Sequence, residues 1–481
     1  MIFCYKAVIK SGYFVTVRIS QCVVARIGVY MLYRKAYDKL LSWKKDANKK
    51  ALCIQGPRQI GKTTVVREFG KNEYDFFIEF NFILDENAKK IFDGSLDENT
   101  LIEGMTALAR KEFIPGKTLI LFDEIQECPN ARTAIKFLVQ DGRFDYVETG
   151  SLLEIKNKNV KSYPVGFEEL YNMHPIDFEE FLLANGIQTS TLNIVENCYL
   201  NHKEVPNLIH TTINKLFYSY IVVGRMPRIV QTYIDTHDIG KVIAEQKDIL
   251  ELYRQDISKY SNNNDKAKIR AIFDSVPSQL NDKNRRFNIS SINSSARLLR
   301  YEDSFNWLID AGVVNPCYNV SEPKSALKLN EKRNLFKLYL ADTGLLCAES
   351  MDNIQFELLQ GNLSINMGSI LENVMGQMLV ANGFDLNYFD SPKYGELDFV
   401  LQNGTSVDYI EIKSGNDYKK HNALNKIMSV NEWSAKNIIV FCKDNVQEEN
   451  NILYLPWYMA IFYKHNQINT ELIYKVDLQG L

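Results

Sequence analysis

The stretch Gly56-Pro57-Arg58-Gln59-Ile60-Gly61-Lys62-Thr63 constrains this chain more than any other feature. It follows a short apolar segment at 51–54 and leads into a helical pattern that begins near Lys62. This fits G-x-x-x-x-G-K-[ST] in its strand, loop, helix context. The chemistry needs these residue types because only a glycine-containing loop lets several backbone N–H groups turn inward on one phosphate. The helix N-terminus adds its partial positive charge. Gly56, Pro57, Arg58, Gln59, Ile60, Gly61, Lys62, Thr63 and Thr64 are therefore the expected nucleotide-binding residues. Lys62 is expected to reach the β and γ phosphates of ATP, and the Thr63 hydroxyl to complete a Mg2+ shell. A loop entering a helix could hold Gly and Lys by accident, but strand, spacing and helix agree here.

A second apolar segment, 118–122, ends in Asp123-Glu124. Beside a phosphate loop, Asp123 can hold Mg2+ through water, and Glu124 can orient and deprotonate the attacking water. Without Gly56 to Thr63 this pair would read as an acidic helix cap. With that loop present, Glu124 favours hydrolysis over binding alone. A third segment, 144–148, ends in Thr149-Gly150-Ser151. A polar side chain there sits between the two nucleotide motifs and senses the γ-phosphate, and both Thr149 and Ser151 are candidates.

Composition sets outer bounds. The 481 residues are 46% apolar and 24% charged, which at about 150 residues per domain predicts about three domains. A net charge of -3 excludes a chain that coats nucleic acid by bulk positive charge. The 8 cysteines are scattered singly with no CxxC pair, which points to a reducing, cytoplasmic setting. The 6 histidines show no HxxxH spacing, so a bound metal must be held by carboxylates. Residues 1–30 are apolar and β-branched but interrupted by Lys6, Lys10, Arg18 and Arg26. No run approaches the ~18 apolar residues of a membrane span. They read as a dispensable extension, the competing reading being a membrane anchor. From Met31 to Lys45, apolar residues at helical spacing (Leu32, Ala36, Leu40, Leu41, Trp43) predict a helix.

Several further segments follow in order: GPRQIGKTT (56–64), LILFDEIQ (119–126), ETGSLLEI (148–155), YPVG (163–166), HPIDFEEFL (174–182), GRMPRIV (224–230), YRQDISKY (253–260) and FKLYLADTGLL (336–346). With them the chain after Met31 resembles prokaryotic AAA+ ATPases carrying a poorly characterised C-terminal domain. The resemblance implies an α/β protein with a P-loop AAA+ parallel-sheet core at 31–235, a helical, winged-helix lid at 236–330 and a C-terminal α/β domain similar to PD-(D/E)XK nucleases at 331–481. One departure bears on mechanism. Oligomeric AAA+ enzymes supply an arginine finger after the sensor strand, yet no Arg occurs between Arg143 and Arg225. Arg225, Arg228, Arg254 or Lys161 remain as substitutes. Slow, switch-like hydrolysis is as compatible with the sequence as a ring motor, and homo-oligomerisation stays open.

Within the lid, a helix is expected at 266–275, a turn at 276–278, two helices within 291–311 and a β-wing at 313–320. Lys266, Lys268, Arg270, Lys283, Arg285, Arg286, Arg297 and Arg300 gather there. They fit either a lid closing over nucleotide, with Arg297 or Arg300 reaching the γ-phosphate, or contacts with nucleic-acid phosphates. The lid reading is preferred because a basic patch without base contacts carries no sequence readout.

Residues 396–413 read as two alternating strands around Asn403-Gly404. With those two residues as the turn, Gln402 faces Thr405 and Asp398 faces Tyr409. Alternation then puts Glu396, Asp398, Glu411 and Lys413 on one face. Asp398 and Glu411 become diagonal neighbours about 7–8 Å apart, close enough to grip one Mg2+. Upstream, Gly368-Ser369-Ile370-Leu371-Glu372 opens a helix. The order helix Glu, strand Asp, strand Glu-x-Lys looks like the nuclease pattern, with Glu372, Asp398 and Glu411 as metal ligands and Lys413 beside the reacting phosphodiester. A half-exposed hairpin also alternates charged and apolar residues, so the hairpin alone would not carry this reading. The whole chain then reads as an ATPase whose nucleotide state controls the C-terminal domain. An ATP-gated nuclease cutting DNA or RNA, or a non-cleaving scaffold, is the alternative.

Overall fold

The structure, a computed structural model, describes residues 32–151, 163–260, 263–282, 285–292, 294, 297–350, 355–360, 367–415 and 417–466. The readings of residues 1–30, of Lys161 and of Lys283 lie outside these residues. Among the described residues no helix is long and apolar enough to cross a membrane.

The first sheet is parallel throughout. Its strands are β1 (Ala51–Gly56), β2 (Phe76–Asn81), β3 (Thr118–Asp123), β4 (Asp145–Ser151) and β5 (Glu168–Asn172), in the order β2-β3-β4-β1-β5. Every position of β1 and β3 is buried, as a parallel strand covered on both faces requires. One face packs an aromatic cluster of Phe80, Phe82, Phe92, Phe122 and Tyr146 under the Glu98–Ala109 and Pro129–Asp141 helices. Because β4 lies between β1 and β3, the C-terminal ends of all three strands meet at one rim. Gly56 pairs with Ser151 there.

Two further sheets follow. β6 (Val314–Val320), β7 (Glu331–Leu340), β8 (Asn387–Ser391) and β9 (Gly395–Leu397) run in the order β7-β6-β8-β9. β10 (Phe399–Asn403), β11 (Ser406–Ile412), β12 (Asn437–Cys442), β13 (Gln447–Glu449) and β14 (Ile452–Pro456) run in the order β10-β11-β12-β14-β13. The Met367–Ala381 helix touches β6 and β7 in one sheet and β11 in the other. Its buried residues include Glu372, Asn373 and Gln377 alongside the apolar ones.

Several local expectations change. The helix expected at 266–275 runs through Pro277 as Asn263–Asn281, because Ile272, Phe273, Val276 and Leu280 are all buried along it. Packing outweighs the proline there. Where two helices are expected around 291–311, the described residues form short 3-10 turns, Ile289–Ser291 and Leu298–Arg300, and one helix, Glu302–Asp310. The strand expected as a wing exists as β6, but it is no free hairpin: it pairs antiparallel with β7 and parallel with β8. The C-terminal hairpin is also displaced. Asn403 faces Ser406 and Phe399 faces Ile410, so Gly404-Thr405 form the turn. Gly404 takes the first central position with φ 65, a conformation that favours glycine. The displacement preserves parity, but the ladder ends at the Phe399–Ile410 pair. The strand expected through Glu396 is broken at Asp398: Glu396 lies on β9 in the other sheet, and Asp398, at the step between β9 and β10, accepts from the Ile412 N–H.

Candidate functional site

At the rim of the first sheet, Gln59 (φ 64) and Gly61 (φ 86) both adopt the left-handed region and turn the loop into the Lys62–Glu73 helix. Lys62 Nζ donates to the Gly56 carbonyl at 3.0 Å and the Pro57 carbonyl at 2.7 Å. Thr63 Oγ1 donates to Asp123 Oδ1 at 2.7 Å, Asn81 Nδ2 donates to Asp123 Oδ2 at 2.7 Å, and Thr149 Oγ1 donates to Asp123 Oδ1. Asp123 is buried at the end of β3. A hydroxyl and a carboxylate converging at the helix start are the hard oxygen donors that Mg2+ prefers. Glu124 follows in the left-handed region (φ 56), and Gln126 Nε2 donates to its Oε2 at 2.6 Å. The two sensor candidates therefore divide: Thr149 binds Asp123, while Ser151 lines a cleft with Arg58, Tyr253, Asp256 and Trp307. Arg58 Nη1 donates to Asp256 Oδ1 at 3.4 Å. This brings the YRQDISKY segment, on the Ile239–Tyr260 helix, to the phosphate loop.

Sequence reasoning missed Asn81 and Arg34. Arg34 is 6% exposed. Its Nη1 donates to the Ile60 carbonyl and its Nη2 to the His174 carbonyl, each at 2.6 Å, and its Nε lies 3.3 Å from Glu180. Only the fold brings positions 34, 60 and 174 together, so no local pattern marks this residue. Of the finger substitutes, Arg225 is buried, its guanidinium donating to the carbonyls of Ile176, Ala341 and Pro175. It cannot reach a neighbouring subunit. Arg228 pairs with Glu245, and Arg254 with Asp274 and Glu349. Arg297 and Arg300 are exposed.

Behind the rim, Glu148 is fully buried, and burial first, then the Glu168 carboxylate, pushes its pKa well above the usual carboxylate range. Arg132 pairs with Glu168 at 2.9 Å.

The second constellation lies where the C-terminal sheets meet. Oxygens of Glu372, Glu396 and Asp398 lie within 4.8 Å of one another. Asp398 Oδ2 accepts from the Ile412 backbone N–H at 2.8 Å. Glu411 stands outside that group of three. Lys413 Nζ is 3.0 Å from its Oε2 and His421 Nδ1 is 3.7 Å away. Burial, then the neighbouring Asp398, raise the Glu411 pKa to about 7 although Lys413 opposes the shift. The cations here were not read from the sequence. Lys337, fully buried on β7, donates to Glu372 at 2.6 Å and to Glu396 at 2.5 Å. Tyr339 OH donates to Glu372 at 2.5 Å. Arg285 meets Glu372 and lies 3.8 Å from Asp398. Lys337 and Tyr339 share a side of β7 by alternation, but the KLYL pattern alone reads as apolar core.

A glycine-containing loop after β1, a carboxylate ending β3 and the strand β4 between them fit the P-loop core of AAA+ ATPases. Residues 48–182 match the family model described as an AAA domain. Residues 214–355 and 367–459 match two models described as domains of unknown function, DUF8612 and DUF4143. No curated protein matches. Among solved structures, the chain is similar to a Walker-type ATPase of Pyrococcus abyssi, with 12% identity, TM-score 0.39, and coverage of 66% of this chain and 95% of that one. It is similar to the Orc1 protein of Aeropyrum pernix, solved in complex with DNA, with 13% identity, TM-score 0.28, and coverage of 68% and 91%. Thermotoga maritima RuvB matches with 12% identity, TM-score 0.29, and coverage of 59% and 89%.

Proposed function

We propose that this protein is a Mg2+-dependent ATPase in which the loop from Gly56 to Thr64 binds ATP, Thr63 and Asp123 hold the metal, and Glu124 prepares the attacking water. The observation that carries it is the convergence of Thr63, Asn81 and Thr149 on Asp123, directly beside the loop. Bound Mg2+ would supply charge neutralisation between the phosphates. Lys62 Nζ, now on two loop carbonyls, would turn to phosphate oxygens, and Ser151 would sense the γ-phosphate. Glu124 is steered by Gln126, leaving its other oxygen to accept a proton.

Lys62→Ala is expected to abolish nucleotide binding in a fluorescent-nucleotide titration. Glu124→Gln should bind with unchanged affinity and turn over ~100-fold or more slowly; normal hydrolysis by that variant would overturn the role given to Glu124.

The C-terminal domain is read as nuclease-like, with Glu372, Asp398, Glu411 and Lys413 in the roles that order implies and the nucleotide state controlling it. The cluster of Glu372, Glu396 and Asp398 supports a cation site there, and nucleic acid is the partner such a site would act on. Incubation with DNA and RNA in Mg2+ or Mn2+, with and without ATP, tests cleavage. Activity that survives Asp398→Ala and Glu411→Ala together would belong to a contaminant.

A further inference from the structure

Among the residues at the C-terminal carboxylate cluster, Arg285 differs in how the fold holds it. Lys337 is on β7, Glu396 on β9 and Glu372 on the Met367–Ala381 helix. Arg285 is on the connection that follows the Asn263–Asn281 helix, with φ 47, a left-handed conformation that a non-glycine residue adopts only under constraint. That helix packs against the Ile239–Tyr260 helix, which carries Asp256 to the phosphate loop.

The electrostatics of the cluster call for a cation at this position. Glu372 is fully buried, and its Oε2 accepts no hydrogen bond among the described residues; what it meets is the Arg285 guanidinium. A buried carboxylate oxygen in that state needs a positive charge beside it. Glu372, Glu396 and Asp398 contribute three formal negative charges, and Lys337 and Arg285 two positive ones. Lys337 is fully buried and bridges Glu372 and Glu396, so it is a fixed part of the site. Withdrawal of Arg285 would leave a net charge of -2 on hard oxygens within 4.8 Å of one another, which matches a divalent cation. Gly368 fits the same picture. A Cβ there would come within 2.8 Å of Arg285 Nη2, so the missing side chain leaves room for the guanidinium at the start of the helix.

We propose that Arg285 is a displaceable cation plug, which occupies the Glu372–Glu396–Asp398 site in alternation with a divalent metal ion. The inference rests on the reading of that cluster as a cation site and adds its regulation: metal enters when the Arg285 guanidinium withdraws from the carboxylates.

Mn2+ binding to the full chain without nucleotide, followed by the electron paramagnetic resonance signal of free Mn2+, tests this. Arg285→Gln is expected to bind Mn2+ about tenfold or more tightly than the parent chain. Adding Asp398→Asn to it should remove the gained site, which separates it from Thr63 and Asp123. Gly368→Ala, which pushes the guanidinium aside without deleting it, should shift affinity the same way by a smaller factor. It keeps the test intact if Arg285→Gln fails to fold. Equal Mn2+ affinity in the parent and both variants would overturn the plug. A tight site in the parent that Asp398→Asn abolishes and Arg285→Gln leaves unchanged would overturn the plug and keep the cation site. No Asp398-dependent binding in any of these proteins would overturn both. Absence of nucleic-acid cleavage by a variant that has gained the site would defeat the nuclease reading, while the plug stands on the gained Mn2+ affinity.

Discussion

Arg34 joins the segment before the first helix to the back of the phosphate loop, and its ionic partner Glu180 is itself buried. Arg34→Ala leaves that carboxylate with the Lys35 and Asp177 backbone N–H groups but without its guanidinium. A loss of about 3 kcal/mol is expected in urea unfolding. Arg34→Lys should recover only part of it, because one ammonium cannot span Ile60, His174 and Glu180 in fork geometry. His174 supplies a pH signature. Burial first, and the nearby Arg225 second, lower its pKa from 6.5 to about 4. Between those values the unfolded chain takes up a proton that the native imidazole refuses, so this contribution to stability is present above pH 6.5 and lost as pH falls toward 4. The urea midpoint should drop between pH 7 and pH 5, and His174→Gln should flatten that dependence.

At the scale of elements, two segments that the ATPase reading leaves unexplained hold each other. Asp342 begins the Thr343–Ser350 helix and accepts from the backbone N–H groups of Gly344, Leu345 and Arg225. Gly224 (φ 79) lies backbone to backbone against Gly344, where a Cβ on Gly344 would sit 2.6 Å from the Gly224 backbone. The GRMPRIV and ADTGLL segments are therefore two halves of one contact. Gly344→Ala is expected to cost about 2–3 kcal/mol, measured as a lowered thermal midpoint with ATP binding retained. Arg225 belongs to this contact, which removes it as a finger.

Across the whole molecule, β6 is central to its sheet, between β7 and β8. A boundary at residue 330 therefore separates hydrogen-bonded partners. Residues 331–481 expressed alone would present two unsatisfied strand edges. They are expected to lack a cooperative thermal transition by circular dichroism, whereas a fragment begun ahead of the Glu302–Asp310 helix should show one. A cooperative transition in the shorter piece would show that β6 is dispensable.

The meeting of Lys62, Thr63 and Asp123 at one rim of the first sheet was legible because its determinants are local. A glycine-containing loop between a strand and a helix, and acids closing an apolar strand, are set by spacing along the chain, which is why Lys62, Thr63 and Asp123 could be placed before any fold was known. The alternation along β10 and β11 was legible for the same reason, since a period of two survives a displaced turn, but the step from β9 to β10 at Asp398, which carries Glu396 into another sheet, was not. The cations were not. Lys337 is hidden in an apolar strand pattern, Arg285 read as one of several exposed basic residues of a lid, and Arg34 lies far along the chain from the loop it holds. Charge neutralisation acts through space at a few ångströms and leaves no period in the sequence, so tertiary structure alone decided which positive groups meet which carboxylates.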